Sequence, residues 1–267
     1  MTRIKIIGAA SLCIAAAAAL FEACHTSPHS TMTVSAAISL KNVLESLRAE
    51  YVKLQPAADI TFNFGGSGAL EFQIENGAPV DLFISASAKY VDELEQKKLT
   101  LPGSRATIAT NQLVIVIPEN GFQIHSPEDL LNSSIRRIAL GDPKSVPAGS
   151  YAVEALKKLH LFDQLAPKFV YGNDVRQVLT YVETSNVDAG IVYTTDALES
   201  QPAADQPLAE KHVRLAVQFP DSLHDPITYP AVIIGASKKQ TEAKAFLDFL
   251  SSDSARTILA RFGFRSQ

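Results

Sequence analysis

The sequence lacks an excess of positive charge. Its 267 residues contain 24 lysines and arginines against 28 aspartates and glutamates, so the formal net charge at pH 7 is −4. Proteins that bind nucleic acid concentrate basic residues on one face, and this composition argues against that class. An anionic ligand would gain little from bulk attraction, so its recognition would have to be local. The length suffices for one large or two medium α/β domains.

Cysteine is also scarce. Of the two cysteines, Cys13 lies inside an apolar run and Cys24 stands at the end of that run. Cleavage of this segment would remove Cys13, and neither cleavage nor modification of Cys24 leaves a cysteine pair. We therefore expect no intrachain disulfide.

Long apolar runs are missing, with one exception at the N-terminus. Arg3 and Lys5 precede an apolar stretch at residues 6–20, and the polar stretch HTSPHSTM follows it. This pattern predicts a signal peptide over residues 1–24 and an exported, periplasmic protein, not a membrane span. An N-terminal helix packed in the core is the alternative, but the alanine tract lacks an amphipathic pattern.

Cys24 stands where the cysteine of a lipoprotein signal would be. The preceding residues depart from that signal, because Phe21 occupies the usual position of leucine and Glu22 is unusual there. Lipid attachment at Cys24 and simple cleavage nearby both stay open as alternatives.

Several motifs for enzymatic chemistry are absent. The glycine-rich stretch NFGGSGAL at residues 63–70 lacks the lysine of a Walker loop and the spacing of a dinucleotide fingerprint, which disfavours nucleotide binding. No G-x-S-x-G elbow occurs, and the six histidines have no metal-ligand spacing. We expect no direct protein–metal ligands and no cofactor. Asp142 and Asp81 could act as bases, but each fits better as a structural acceptor at a turn or strand edge.

What is present is a regular alternation of short apolar runs with helical patterns from Thr33 onward. This alternation predicts an α/β fold with parallel sheets covered by helices on both faces. We predict helices near residues 69–75, 149–160 and 175–183, the last capped by Asn173, and a long helix that begins near residue 240. A further helix is predicted by one apolar face, which comprises Leu40, Val43, Leu44, Leu47 and Tyr51.

The starts of four predicted helices share one feature, which is that each follows a strand. Ser39, Ser67, Ala148 and Val175 lie at these starts. In parallel sheets such loops meet at the carboxyl ends of the strands, where ligands bind. Helix N-termini offer unpaired N–H groups and partial positive charge, so several together could hold an anion without a lysine. Glycines 65, 66 and 68 would let the backbone approach closely and take positive φ where needed. The alternative for each loop alone is a capping serine or a simple turn.

The segments SAAISL, GALEFQIENGAPVDLFISA, GDPKSVPAGSYAVEAL, DVRQVL and GIVY together resemble the periplasmic molybdate-binding proteins of ABC importers, of the type II periplasmic binding protein family. The similarity runs from about residue 33 to residue 264 and includes the ending RFGF. It implies two doubly wound α/β lobes that are joined by crossing strands and hold an oxyanion in the cleft between them.

The resemblance also implies a set of ligand-binding residues. In that family two serines, two backbone amides and a tyrosine donate to the oxyanion, and these fall on Ser39, Ser67, Ala148, Val175 and Tyr193. The glycine loop departs from the family, because relatives often carry a run of serines where this chain has Gly-Ser-Gly. Ser67 is thus the only hydroxyl in that loop.

All the proposed contacts are donors. Such a site suits a fully deprotonated dianion, such as molybdate, tungstate or sulfate, and disfavours phosphate, which keeps a proton near neutral pH. With the resemblance, this indicates a monomeric solute-binding protein, not an enzyme, that captures molybdate or tungstate and delivers it to a membrane ABC permease. The alternatives are a sulfate or other oxyanion binder on the same fold and an enzyme that uses Asp142 or His224 as a base.

The lobe boundaries follow from the apolar strands. We predict a first lobe of residues 31–111 and 219–267 and a second lobe of residues 112–218, with crossings near NQLVIV and VQFPDS.

Overall fold

The structure is a computed structural model that describes residues 31–200 and 212–265. The predicted signal peptide and Cys24 lie outside the described residues. From Met32 onward the described chain belongs to one compact unit. Within the described ranges, no helix is long and apolar enough to cross a membrane.

Short apolar runs form ten strands in the described part of the chain. In chain order the strands are β1 (Met32–Ala37), β2 (Ile60–Gly65), β3 (Leu82–Ile84), β4 (Ala106–Thr110), β5 (Leu113–Pro118), β6 (Ile138–Gly141), β7 (Phe169–Gly172), β8 (Ala189–Tyr193), β9 (Val213–Gln218) and β10 (Thr228–Ile233). They assemble into two five-stranded sheets, with the order β2-β1-β3-β10-β4 in the first and β7-β6-β8-β5-β9 in the second.

The α-helices of the described part alternate with these strands. They are α1 (Lys41–Leu54), α2 (Ser67–Glu75), α3 (Ala88–Gln96), α4 (Pro147–Lys158), α5 (Phe162–Leu165), α6 (Val175–Glu183), α7 (Thr194–Glu199), α8 (Gln240–Leu250) and α9 (Asp253–Arg261). Short 3₁₀ turns include residues Ile38–Leu40, directly before α1.

Both sheets are mixed, so the expectation of parallel sheets was wrong in part. Strand β1 runs parallel to β2 and β3, and β6 runs parallel to β7 and β8. However, β10 is antiparallel to β3 and β4, and β5 is antiparallel to β8 and β9. The antiparallel pairs involve β4, β5, β9 and β10, which flank the two segments that pass between the sheets, residues 111–112 and 219–227. Consecutive parallel strands must be joined by a crossover, usually a helix. A strand that enters from the other sheet has no such connection and can run antiparallel to its neighbours.

Apolar faces explain how the helices pack. The predicted face of α1 is confirmed, since Val43, Leu44, Leu47 and Tyr51 are all buried. The Tyr51 ring packs on those of Phe246 and Phe249 at 5.0 and 5.1 Å, which holds α8 against α1. On the other face of the first sheet, α2 and α3 bury a second cluster that includes Leu70, Ile74, Val91 and Leu94. The sheet is therefore covered on both sides.

Two local predictions need correction. Helix α6 does begin at Val175, but its cap is Asp174, whose Oδ1 accepts from Gln177 N at 2.9 Å, and not Asn173. The predicted long C-terminal helix is two helices, α8 and α9. The helix is interrupted at Ser252, because its side chain accepts from Ala255 N and caps the start of α9.

Candidate functional site

One cavity of about 10 Å³ brings together the five residues predicted for the site. Each lies at or just after the carboxyl end of a strand with a parallel neighbour. The strands are β1 and β2 in the first sheet and β6, β7 and β8 in the second. The cavity lies between loops of both sheets and is lined by Ser39, Ser67, Ala148, Val175 and Tyr193, together with Ala37, Ile38, Gly65, Gly66, Ala86, Val146 and Pro147. None of these lining residues, all within the described chain, has a charged side chain.

The two serine hydroxyls are buried and do not cap their helices. Ser67 is the first residue of α2, whose cap position is Gly66. Ser39 lies in the 3₁₀ turn before α1. Among the described residues, neither α2 nor this turn has a side-chain cap bond. Ser67 Oγ instead accepts from Ala86 N at 3.0 Å. Its own hydrogen is left for another acceptor. Ser39 Oγ pairs with the Tyr229 hydroxyl at 3.0 Å. The alternative in which these serines are only caps is therefore wrong.

Two helix starts of the second sheet supply backbone donors. Helix α4 begins with Pro147, which has no N–H, so Ala148 carries the first amide hydrogen of that helix. A Cβ on Gly149 would clash with Gly141 O, which shows how closely the start of α4 packs on the end of β6. Val175 is the first residue of α6. First-turn amides have no acceptor within their own helix, so both can donate to a ligand.

Tyr193 supplies the last donor. It is the final residue of β8, its side chain is buried, and its Oη is without a hydrogen-bond partner among the described residues. Burial raises the pKa of Tyr193 well above its ordinary value, so the phenol keeps its hydrogen. A buried donor without an acceptor is costly, so Tyr193 Oη is free to donate to a ligand oxygen that enters the cavity.

The nearest cation by sequence is already neutralised. Arg176 follows Val175 directly, and its guanidinium pairs with Asp196 at 3.4 Å and with Glu199. Asp196 is fully buried and also accepts from Tyr193 N at 3.2 Å. Burial raises the pKa of Asp196 to about 6, although Arg176 and the Tyr193 amide oppose that rise. Glu199 reaches across to Asn42 Nδ2 at 2.9 Å, so this ion-pair cluster joins α6 and α7 to α1.

The glycine loop makes contacts that the sequence did not indicate. Gly66 has φ −65°, and none of the positive-φ glycines of the described chain belongs to this loop. Gly68 N donates to Ser145 O at 2.9 Å, across to the loop that precedes α4. A Cβ on Gly68 would lie 2.9 Å from Ser145 Cα, Ser145 O and the Tyr90 ring. The glycines therefore allow the loops of the two sheets to approach each other, and positive φ is not needed.

Three buried residues behind Ser39 were missed by the sequence reasoning. Tyr229 is on β10, Asn111 is between β4 and β5, and Thr195 is in α7. Asn111 Nδ2 donates to Thr195 Oγ1 at 2.9 Å and to Tyr229 Oη at 3.0 Å. Tyr229 is separated from Ser39 by 190 positions in sequence, and no local motif marks it.

The residues considered as bases have structural partners. Asp142 Oδ1 accepts from Lys144 N at 3.0 Å in the turn before α4, and His224 Nδ1 pairs with Asp225 O at 2.8 Å. Asp81 accepts from Thr33 N at 2.8 Å and from the Ser237 hydroxyl at 2.6 Å. The described residues contain no cluster of three or more histidine, cysteine, aspartate or glutamate side chains that could hold a metal ion.

The chain is similar to known transport proteins over most of its length. A family model described as bacterial extracellular solute-binding protein matches residues 32–265. The putative ABC transporter substrate-binding lipoprotein YvgL of Bacillus subtilis is 41% identical over 238 residues, which cover 89% of this chain and 87% of that protein. The molybdate-binding protein ModA of Escherichia coli is 38% identical over 87% of this chain and 88% of its own length.

A solved structure supports the same relationship. The periplasmic molybdate-binding protein of Azotobacter vinelandii superposes with a TM-score of 0.78 and 26% identity, over 88% of this chain and 99% of that chain. The predicted fold class of two α/β sheets with flanking helices, as in periplasmic binding proteins, is thereby confirmed.

Proposed function

The chain belongs to the family of bacterial extracellular solute-binding proteins, and from that premise we propose that it captures molybdate or tungstate and delivers it to a membrane ABC permease. This family binds solutes for transport and is not a family of enzymes, so the enzymatic alternative is not retained. Relatives that are named molybdate-binding proteins support the choice of ligand.

The observation that carries the proposal is the donor-only lining of the cavity. Two buried hydroxyls, two first-turn amides and the Tyr193 Oη converge there. Among the described residues, Tyr193 Oη has no partner and no carboxylate lines the cavity. Hydrogen bonds to a charged acceptor are stronger than neutral ones, so such a lining favours a dianion whose oxygens all accept. We therefore assign Ser39, Ser67, Ala148, Val175 and Tyr193 as the ligand-binding residues.

The division into lobes is part of the same proposal. We assign residues 31–111 and 219–267 to one lobe and 112–218 to the other, with the cavity in the cleft between them. Support comes from the two sheets, whose strands fall on either side of these boundaries, and from the packing of α8 and α9 on α1, β4 and β10. The protein would act as a monomer.

Titration calorimetry with molybdate, tungstate, sulfate and phosphate tests the ligand. We expect tight binding of molybdate and tungstate, weaker binding of the smaller sulfate, and little binding of phosphate near neutral pH. Sulfate binding tighter than molybdate would favour the alternative oxyanion. Phosphate binding as tight as molybdate would contradict the donor-only site, because a protonated oxygen needs an acceptor.

We propose that a lipid on Cys24 anchors the exported protein to the membrane. The name of the Bacillus subtilis relative, a lipoprotein, supports this assignment over simple cleavage. Two acyl chains would hold the protein stably at a membrane surface. Cys24→Ser should release the protein from the membrane fraction of the producing cell. Equal membrane retention of the two forms would instead favour cleavage without an anchor.

A further inference from the structure

A chain of buried hydrogen bonds leads from the backbone to the hydroxyl of Ser39. It begins at Gln112 N, which donates to Asn111 Oδ1 at 2.9 Å. A backbone N–H can only donate, so this contact identifies the oxygen of the Asn111 amide and fixes the amide orientation. The Asn111 nitrogen must then be the atom that faces Thr195 and Tyr229.

The direction of the next hydrogen bonds, as far as Tyr229, follows from this amide orientation. Asn111 Nδ2 donates to Thr195 Oγ1 at 2.9 Å and to Tyr229 Oη at 3.0 Å. The phenol has one hydrogen, and Ser39 Oγ lies 3.0 Å from its oxygen. Among the described residues, Ser39 Oγ is the one partner of Tyr229 Oη that can accept its hydrogen, because the Asn111 amide nitrogen can only donate. Ser39 then accepts from Tyr229, and its own hydrogen is left for the cavity.

Burial keeps this arrangement intact. Tyr229 and Ser39 are 0% and 1% exposed, and Asn111 is 7% exposed. Burial also raises the pKa of Tyr229 well above its ordinary value, so the phenol does not lose its hydrogen at physiological pH. The Tyr229 and Phe264 rings pack in a T-shaped pair with 5.3 Å between centroids, which restricts rotation of the Tyr229 ring.

We propose that Tyr229 is a positioning residue, which holds the Ser39 hydroxyl in its donor orientation through the relay from Gln112 and Asn111. The inference rests on the proposed function, because it concerns how the same cavity selects its anion. With one of its two lone pairs engaged by Tyr229, Ser39 turns its own hydrogen toward the cavity. The relay thus favours fully deprotonated oxyanions and disfavours oxyanions that would present a hydrogen to Ser39.

The relay also spans the connection between the two sheets. Asn111 and Gln112 form the segment between β4 of the first sheet and β5 of the second, Thr195 is in α7 of the second, and Tyr229 is on β10 of the first. The orientation of Ser39 is therefore tied to the way the crossing segment is folded, and every residue of the relay is buried.

A double-mutant cycle tests the proposal. Affinities for molybdate, tungstate, sulfate and phosphate are measured by equilibrium dialysis for the full exported chain, Tyr229→Phe, Ser39→Ala and the double variant. The cycle uses the oxyanion that the unmodified protein binds best. We expect Tyr229→Phe to weaken binding about 3- to 10-fold, as for loss of one neutral hydrogen bond, and to leave affinity within about twofold in the Ser39→Ala background.

Controls separate positioning from general damage. Tyr51→Phe removes the phenol hydroxyl of another buried tyrosine, whose ring packs between α1 and α8 and does not line the cavity, so it should leave affinity unchanged. If Tyr229→Phe does not fold, Asn111→Ala replaces it in the cycle, because it removes the donor that sets the polarity of Tyr229. Thermal unfolding of each variant reports the cost to stability.

The outcomes are distinct. Tyr229→Phe affinity equal to that of the unmodified protein, or the same loss in both backgrounds, would overturn the relay. If the unmodified protein binds another of these oxyanions and not molybdate, the proposed function fails while the cycle still decides the relay. If it binds none of the four, both are wrong. A fall in the preference for molybdate over phosphate in Tyr229→Phe, but not in Tyr51→Phe, is the signature that a purely structural role would not produce.

Discussion

At the scale of single residues, the two serines have different hydrogen-bond partners but should lose affinity for the anion by similar factors when they are replaced. Ser67→Ala leaves the buried Ala86 N–H without its acceptor, so it should cost about 1–3 kcal/mol of unfolding free energy. It also removes a charge-assisted bond to the anion worth roughly 1.5–3 kcal/mol, which corresponds to a roughly tenfold to hundredfold loss of affinity. Ser39→Ala should lose affinity by a similar factor. Calorimetric titration with molybdate and thermal unfolding measure the two effects separately.

Lys89 provides the matched control for that prediction. It is the first cation after the glycine loop, but its side chain is exposed and lies 3.9 Å from Glu93, outside the cavity lining. Lys89→Ala should therefore bind molybdate as the unmodified protein does. Full affinity in both serine variants, or a large loss in Lys89→Ala, would reject a site built on dipoles and hydroxyls.

The residues of the cavity also show how far sequence reasoning reaches. Ser67, Ala148 and Val175 could be selected because each starts a helix after a strand, which is a local pattern. The cap of α6 was assigned to Asn173 in place of Asp174 because both residue types cap well and they are adjacent. Tyr229 could not be found, since its contact with Ser39 depends on a strand that returns from the other sheet 190 positions later.

At the scale of elements, the glycine loop controls how closely α2 approaches the loop before α4. Gly68→Ala places a Cβ 2.9 Å from Ser145 Cα and Ser145 O, which are backbone atoms that cannot rotate away. Overpacking of this kind costs about 1–3 kcal/mol. In Gly68→Ala this cost would fall on the arrangement in which the loops of the two sheets meet at the cavity, so affinity should fall roughly tenfold or more. Molybdate titration of the variant checks this loss.

Ala69→Ser is the control for the glycine substitution. Ala69 is exposed in the same first turn of α2, so the added hydroxyl meets solvent and should leave the affinity unchanged. Unaltered binding in Gly68→Ala would mean that the contact between Gly68 and Ser145 is dispensable for capture of the anion.

The packing of α2 on α3 should make stability depend on pH. Burial raises the pKa of Glu71 to about 7, with contributions from a hydrogen bond to Glu75 and from the charge of Glu93, against the opposing charge of Lys97. The folded protein therefore holds a proton on Glu71 that the unfolded chain releases. Folding is linked to proton uptake, so the free energy of unfolding should fall as pH rises from about 5 to about 8.

Glu71→Gln isolates this effect. Glutamine copies the protonated carboxyl, so the variant should lose less stability than the unmodified protein between about pH 5 and about pH 8. Glu75, whose pKa is lowered by its hydrogen bonds to Glu71 and Lys97, gives a slope of the opposite sign only at more acidic pH. Urea unfolding at the two pH values measures the difference. Parallel losses in both proteins would show that Glu71 does not carry the linkage.

At the scale of the whole molecule, several contacts join the two sheets and their helices beside the cavity. Gly68 N bonds Ser145 O at 2.9 Å, the Tyr90 hydroxyl lies 3.4 Å from Lys144 O, and Asn42 Nδ2 bonds Glu199 at 2.9 Å. Water could satisfy the groups of these contacts if the sheets separated, so each contact contributes only about 0.5–1.5 kcal/mol of net free energy. The proposed closed arrangement would therefore gain stability from a ligand that bridges both sides.

An oxyanion held by Ser39 and Ser67 on one side and by Ala148, Val175 and Tyr193 on the other would supply that bridge. Because it makes all these bonds only when the cleft is closed, it should shift the population toward the closed form. We expect small-angle scattering to report a decrease in radius of gyration on addition of molybdate, toward the roughly 18 Å of a compact chain of this length. Gly68→Ala, which obstructs the approach of the loops, should compact less at saturating molybdate. An unchanged radius in the unmodified protein, with binding verified by calorimetry in the same sample, would contradict hinge closure and favour a cleft that is closed before the anion arrives.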